Sequence, residues 1–213
     1  DQFVAGPPGS GKTLISLYTL RDIVQESAIR PLVLMYNHSL YGFLKSAVKE
    51  LDIQDNITIA TKDKFFWDLR KRFDIEVEFK QSYEKKYDYI LTELLKQDLK
   101  KEYDVTVVDE VQDLSPMEWK LVKRISKKIT SLGDFDQGVY QTKLTKAEVQ
   151  GEGMFEKLTQ IFRFHKNIAK LAKIFSRNQA DLESQVSRTA ATQPELIKTT
   201  RREECSKVAE IIK

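Results

Sequence analysis

The segment GPPGSGKT at residues 6–13 constrains the fold of this chain more than any other stretch. It follows a short apolar run, FVA, and precedes the apolar-periodic LISLYTL. Its glycines, lysine and threonine fit the spacing G-x-x-x-x-G-K-[ST] of a phosphate-binding loop between a strand and a helix. In such a loop the backbone N–H groups turn inward around anionic oxygens, and the helix adds the positive end of its dipole. The segment therefore predicts an α/β domain that binds a nucleotide.

Two side chains of this loop have predicted chemical roles. We expect the Lys12 ammonium to reach the β- and γ-phosphates and the Thr13 hydroxyl to ligate Mg²⁺. The alternative is a turn rich in glycine, proline and serine that matches by chance, and the strand-loop-helix context argues against it. The residues expected to contact the nucleotide here are Gly6, Pro7, Pro8, Gly9, Ser10, Gly11, Lys12 and Thr13.

The composition is that of a globular protein with a sizeable core. Of 213 residues, 41% are hydrophobic and 31% are charged, with 35 Lys+Arg against 32 Asp+Glu. This near-balance does not by itself indicate a nucleic-acid binder, so any site for a polyanion must be local. No apolar run has the length needed to cross a bilayer, and the single cysteine, Cys205, allows no disulfide within these residues. We expect a cytoplasmic protein, or a nuclear one in a eukaryote, without a membrane partner.

Alternating apolar and amphipathic segments predict the fold class. Runs rich in β-branched residues, FVA, PLVLMY, NITIAT, VTVVD and ITSLGD, are separated by amphipathic segments such as SLYGFLKSAVKEL and SPMEWKLVKRI. This alternation is typical of a parallel sheet with crossover helices. Ser115 followed by Pro116 and Glu118 predicts the start of a helix.

The same patterns suggest two domains. Residues 1–152 read as one α/β domain, in which a mostly helical, charged stretch at about 61–103 interrupts the alternation as an insertion. The glycine pair in GEG, at 151–153, predicts a boundary. A second pattern then covers 153–213, with KLTQIF as its first strand and HKNIAKLAKIFSRN as a helix.

The segment DEVQD, at residues 109–113, directly follows an apolar strand. Ligand chemistry in parallel α/β folds lies at the carboxyl ends of strands. Asp109 is therefore a candidate for holding Mg²⁺ together with Thr13, and Glu110 for acting as general base towards the attacking water. The alternative is a strand that simply runs into an acidic turn.

Two later segments, LGDFDQGVY at 132–140 and LTQIFRFH at 158–165, add further candidates. Gln137 offers an amide that can sense a γ-phosphate or orient water, although GDFDQG alone would be read as a hairpin turn. Phe162 offers a ring for stacking on a base, and Arg163 a cation for the transferring phosphoryl group.

Together and in this order, the four motifs resemble those of the UvrD/Rep-like branch of the superfamily 1 helicases, as the front portion of the motor. The resemblance implies a RecA-like parallel sheet flanked by helices, a short helical insertion and the beginning of a second RecA-like domain. It also implies ATP and Mg²⁺ as cofactors and movement along single-stranded DNA or RNA. By its motifs, Lys12 would contact the phosphates, while Thr13 and Asp109 would hold the metal. Glu110 would be the catalytic base and Gln137 the γ-phosphate sensor. Phe162 would contact the adenine, and Arg163 would be the arginine offered by the second domain.

The resemblance also implies nucleic-acid contacts. LMYNHSLYGFLKS resembles the element that grips the nucleic-acid backbone, which assigns this contact to Tyr36, Asn37 and His38, and Tyr140 is a further candidate. For His38, capping of a loop at the strand end is the alternative. The chain departs from the family at Thr142, where a base-stacking Trp is common.

Ile161 is a further departure, because an Asn usually precedes the aromatic-arginine pair. The leading hypothesis is an ATP-dependent translocase or helicase on single-stranded DNA or RNA. The alternative is a regulatory ATP switch that controls a protein partner such as a nuclease, which Thr142 favours. A small-molecule kinase fits poorly because such kinases do not need both the DExQD and GDxxQ motifs.

Overall fold

A computed structural model describes residues 1–26, 29–77, 80–135, 144–151, 153–175 and 183–189, with the single positions 194, 200, 203, 206, 208 and 210. These residues contain six strands and seven α-helices. The order along the chain is β1 (Gln2–Ala5), α1 (Lys12–Glu26), β2 (Pro31–Met35), α2 (His38–Glu50), β3 (Thr58–Thr61), α3 (Lys62–Arg72), α4 (Tyr83–Lys96), β4 (Tyr103–Val108), α5 (Pro116–Ile125), β5 (Ser126–Gly133), α6 (Lys146–Gln150), β6 (Met154–Lys157) and α7 (Lys166–Phe175).

The strands form one parallel sheet in the order β3-β2-β4-β5-β1-β6. Ala5 at the end of β1 is in register with Gly133 at the end of β5, and Leu34 of β2 with Val108 of β4. Because all strands run the same way, the segments that follow them emerge at one edge of the sheet. This is the RecA-like α/β architecture with a phosphate loop that the sequence predicts.

Each face of the sheet carries its own hydrophobic layer. In β1, Phe3 packs into one layer and Val4 into the other, as expected from the two-residue period of a strand. Helices α1 and α2 cover the Val4 face through residues such as Leu17 and Leu44. The opposite layer includes buried side chains from α3, α4 and α5, such as Phe66, Ile90 and Leu121.

The range 61–103 is mostly helical, as predicted, and it is part of the core. Phe66 of α3 and Ile90 and Leu94 of α4 are fully buried, in the same layer as Leu32 and Leu34 of β2. The insertion therefore forms one wall of the domain.

Helix α5 begins as the sequence predicts. The Ser115 hydroxyl accepts a hydrogen bond from the Glu118 backbone N–H at 3.3 Å, and the Ser115 N–H donates to the Glu118 carboxylate at 2.6 Å. This reciprocal capping box, with Pro116 in the first turn, fixes the helix start immediately after DEVQD.

The chain divides into two compact units, residues 1–163 and 164–213. The first unit extends past the predicted boundary at 152, because β6 pairs with β1 from Gln2↔Met154 to Ala5↔Lys157. The strand predicted over KLTQIF instead begins at Met154. The second unit contains α7, and its identity as the start of a second RecA-like domain stays a prediction. None of the described helices has the length and apolar character to span a membrane.

Candidate nucleotide site

The loop between β1 and α1 has the backbone geometry of a phosphate cradle. Gly9 and Gly11 have φ angles of +79° and +89°, which only glycine adopts without strain. The Gly6 N–H donates to the Gly133 carbonyl at 3.2 Å, so the loop begins tied to the end of β5. Helix α1 starts at Lys12 and directs its amino end at the loop, where an anion is stabilised.

The ammonium of Lys12 is held inside this loop. Lys12 is only 7% exposed, and its Nζ donates to the carbonyls of Gly6 at 2.7 Å and Pro7 at 3.2 Å. These two carbonyls solvate the buried charge. Phosphate oxygens entering the loop would offer the same ammonium stronger, charge-assisted partners.

Thr13 and Asp109 meet at the mouth of the loop. The Thr13 hydroxyl donates to Oδ2 of Asp109 at 3.0 Å, although the residues are 96 positions apart in the chain. Asp109 follows β4 and is 2% exposed, and its N–H donates to the Leu34 carbonyl at 2.9 Å. A hydroxyl and a carboxylate side by side are oxygen donors of the kind that Mg²⁺ prefers, so the pair fits the metal that the motif implies.

The surroundings of the Asp109 carboxyl disfavour its charged form. Burial, and next the charge of Glu110, raises its pKa from the ordinary 3.8 to about 6. Hydrogen bonds from Thr13 and from the Glu110 N–H, and the charge of Lys12, act in the opposite direction. A divalent cation at this carboxylate would stabilise its charged form.

Glu110 adopts a left-handed backbone conformation that is unusual for a residue with a side chain. Its φ and ψ are 51° and 52°, a conformation that costs about 1 kcal/mol outside glycine. Its N–H donates to Oδ1 of Asp109 at 3.1 Å, and its Oε2 accepts from Nε2 of Gln112 at 2.7 Å. Strain of this kind concentrates at functional sites.

Gln112 is a site residue to which sequence reasoning assigned no role. It is 5% exposed, and while its Nε2 binds Glu110, its Oε1 accepts from the Asp134 N–H at 3.1 Å. The neighbouring Gly133 leaves room for it, because a Cβ there would lie 2.5 Å from the Gln112 Oε1. The sequence feature that could have identified Gln112 is its position between the acidic residues Glu110 and Asp113 of DEVQD.

Phe162 and Arg163 lie against the phosphate loop. The Phe162 N–H donates to the Gly9 carbonyl at 2.9 Å, and a Cβ added to Gly9 would overlap the Cβ of Arg163. Phe162 is 50% exposed. Arg163 is the last residue of the first compact unit, in which β6 pairs alongside β1. Its assignment to a second RecA-like domain stays a prediction.

Tyr36, Asn37 and His38 follow β2 and therefore emerge at the same edge of the sheet as the loop. Asn37 and His38 are exposed, and α2 begins at His38. The Tyr36 ring lies 5.2 Å from the Lys62 ammonium, a cation–π contact. Nucleic-acid contact by these residues stays a prediction. Gln137 and Tyr140, like Thr142, lie outside the described residues, and their assigned roles stay predictions.

A buried ionic cluster, formed by Lys62, Tyr87 and Glu118, lies beside this edge and was not predicted. The Lys62 Nζ is 2.6 Å from Oε1 of Glu118, and the Tyr87 hydroxyl donates to the same oxygen at 2.8 Å. Burial, and next the charge of Glu118, raises the pKa of the Tyr87 hydroxyl far above its ordinary value, so it remains a donor. Glu118 is therefore both the capping residue of α5 and the counter-ion of Lys62.

The parallel sheet and the loop geometry define a P-loop domain of the RecA-like type. Comparison with protein families makes this more specific. The chain belongs to the AAA domain family, whose model matches residues 2–143. No curated protein sequence matches it significantly.

Solved structures share the fold at low sequence identity. The arterivirus nonstructural protein 10, a helicase, matches with a TM-score of 0.52 and 16% identity over 93% of this chain and 45% of that chain. The PRRSV helicase matches with a TM-score of 0.51 and 14% identity over 94% of this chain and 38% of that chain. The chain thus spans less than half of either protein. These matches show that the chain shares the fold of these helicases over most of its own length.

Proposed function

We propose that this chain is the ATP-hydrolysing motor portion of a UvrD/Rep-like superfamily 1 helicase. Such a motor would translocate on single-stranded DNA or RNA, or unwind a duplex. The observation that carries the proposal is the 3.0 Å hydrogen bond between Thr13 and Asp109 at the mouth of the phosphate loop. It joins the two motifs that phosphoryl-transfer sites use to hold Mg²⁺, and it does so across 96 residues.

Nucleotide binding is assigned to the loop itself. The left-handed turns at Gly9 and Gly11, the amino end of α1 and the Lys12 ammonium are the features of the loop that would stabilise phosphate charge. Thr13 and Asp109 would hold Mg²⁺, which when bound neutralises charge on the β- and γ-phosphates. Lys12 would exchange its loop carbonyls for phosphate oxygens.

Glu110 is assigned as the general base. Gln112 fixes its Oε2 at 2.7 Å, and we assign Oε1 to the attacking water, whose proton this carboxylate would accept. We thus assign the two consecutive carboxylates different roles: Asp109 serves the metal and Glu110 the water.

Arg163 and Phe162 complete the proposed nucleotide site. Arg163 packs on Gly9 of the phosphate loop and would stabilise charge that develops on the γ-phosphoryl group. The exposed Phe162 ring would stack on the adenine. Gln137 remains our candidate for sensing the γ-phosphate.

Single-stranded nucleic acid is the proposed track. Tyr36, Asn37 and His38 emerge at the same sheet edge as the loop, which supports a contact that responds to the nucleotide state. Tyr140 is a further candidate. We propose that the second unit begins a second RecA-like domain, and that the protein works in the cytoplasm, or in the nucleus of a eukaryote.

A regulatory ATP switch is the second candidate function. Thr142 stands where the helicase family often has a Trp that stacks on a base of the tracked strand. A weaker hold on bases favours a protein that hydrolyses ATP to control a protein partner, such as a nuclease, with little unwinding.

The deciding experiment is ATP turnover by the full-length protein, with and without single-stranded DNA or RNA oligonucleotides. Stimulation by an oligonucleotide supports the motor. Turnover without stimulation supports the switch. Absence of Mg²⁺-dependent turnover would overturn both, and Lys12→Ala, expected to abolish turnover, is the control for contaminating ATPases.

A further inference from the structure

Gln112 connects the ends of two adjacent strands. Its side-chain amide donates to the Glu110 carboxylate at 2.7 Å and accepts from the Asp134 N–H at 3.1 Å. Glu110 follows β4 and Asp134 follows β5, and these strands are neighbours in the sheet. One rigid, planar group therefore bridges the proposed catalytic base and the start of the segment that leads to Gln137.

The surroundings of Gln112 leave its amide little freedom. The residue is 5% exposed, so the amide is not held by bulk water. Gly133 packs so closely on Oε1 that a Cβ there would lie 2.5 Å away. A buried amide with partners at both ends is costly to misplace, because either partner would lose its hydrogen bond. A movement of the Asp134 backbone must then be shared by the Glu110 carboxylate.

We infer that Gln112 is a positioning residue that couples the Glu110 carboxylate to the backbone at Asp134. This inference rests on the proposed function. A shift of the Asp134 backbone on nucleotide binding would reach the Glu110 carboxylate through the amide of Gln112. Glu110 is thereby aligned with the water only when the nucleotide is in place, which limits hydrolysis in an incompletely formed site.

The primary test is Gln112→Met, which keeps the approximate length and volume of the side chain but removes its hydrogen bonds to Glu110 and Asp134. We expect kcat for ATP to fall at least tenfold, within the contribution of a positioned base. We expect KM and nucleotide affinity, measured with a fluorescent ATP analogue, to stay within about twofold, because the loop and Asp109 are untouched. Gln97→Met is the matched control: the Gln97 amide donates to the Glu93 carbonyl at the end of α4, outside the proposed site motifs, and kcat should not change.

A double-variant comparison separates positioning from a general structural role. In a Glu110→Gln background the base is already lost, so adding Gln112→Met should change the residual rate by less than about twofold. Gln112→Glu keeps an acceptor for Asp134 but sets a second carboxylate against Glu110, and its kcat should be as low as that of Gln112→Met.

Three results would overturn the inference. They are a kcat for Gln112→Met within twofold of the parent, an equal loss of nucleotide affinity and kcat, or a full multiplicative effect in the Glu110→Gln background. Each of these leaves the proposed function intact if the parent protein hydrolyses ATP and Lys12→Ala does not. A parent protein without ATP turnover would remove the proposed function and this inference together.

Discussion

Gly9 of the phosphate loop and Arg163 of the segment after β6 approach so closely that a β-carbon on Gly9 would overlap the β-carbon of Arg163. The proposed phosphoryl-stabilising cation is thus packed against the loop that it would serve. The contact depends on two separate features: the missing side chain of Gly9 and the pairing of β6 with β1.

Gly9→Ala should destabilise the protein and impair nucleotide binding. The change combines a positive φ of +79° with the overlap on Arg163, so we expect a loss of about 2–4 kcal/mol in the free energy of unfolding. Gly11→Ala is the matched control. Gly11 has a φ of +89° but no heavy atom within 4 Å of an added Cβ, so only the backbone cost of about 1 kcal/mol applies. Equal losses in chemical denaturation would show that the Arg163 contact is unimportant.

Arg163→Ala should leave ATP affinity largely intact and reduce turnover on the order of 10³-fold, as for arginines that act mainly on the transition state. Nucleotide affinity and turnover are to be measured on the same preparation. Arg21→Ala provides the control, since Arg21 forms an exposed ion pair with Asp22 and its loss should cost 1 kcal/mol or less. Unchanged turnover in Arg163→Ala would exclude the arginine from the catalytic site.

Glu110→Gln should retain Mg²⁺-ATP binding because Thr13 and Asp109 remain, while hydrolysis falls about 10²-fold or more. Single-turnover measurements with saturating protein separate the two steps. If binding and hydrolysis fall together, Glu110 is a metal ligand or a structural residue.

The buried pair Lys62 and Glu118 should behave as a unit. Lys62→Met leaves the Glu118 carboxylate without the ammonium that pairs with it, and Glu118→Gln leaves that ammonium only its longer, 3.6 Å contact with Asp63. Each change should cost about 3–5 kcal/mol in the free energy of unfolding. The double variant should be less destabilised than the sum of the two, because no unpaired charge remains. Additive losses would show that the two charges do not depend on each other.

Local sequence patterns are sufficient to predict most of the helices and strands. Phe3 and Val4, before a glycine loop and a helix, suffice to predict β1, and Ser115 with Glu118 suffices to predict the start of α5. The sequence predicts strand β6 over KLTQIF, later than its observed position at Met154–Lys157. The reason is that the four residues of MFEK are all exposed and have no alternating burial. Only their pairing with β1, about 150 residues away along the chain, makes them a strand.

The same distinction applies to the site. The residue types and spacing of the phosphate loop and of DEVQD predict their chemical roles directly. The bridge made by Gln112 depends instead on how closely the ends of β4 and β5 approach. The pairing of Lys62 with Glu118 spans 56 residues and could not be read from either neighbourhood. The two glycines of GEG predict a boundary at 151–153, whereas the sheet continues beyond that turn through the pairing of β6 with β1.

The contribution of α3 and α4 to the core has a practical consequence for protein engineering. Because Phe66, Ile90 and Leu94 seal one face of β2, residues 62–96 cannot be excised or exchanged as a module. A shortened version with a synthetic linker would leave Leu32 and Leu34 facing water and would lose the lysine that neutralises Glu118. Any minimal enzyme built from this chain has to keep both helices, and fusions are better directed to other parts of its surface.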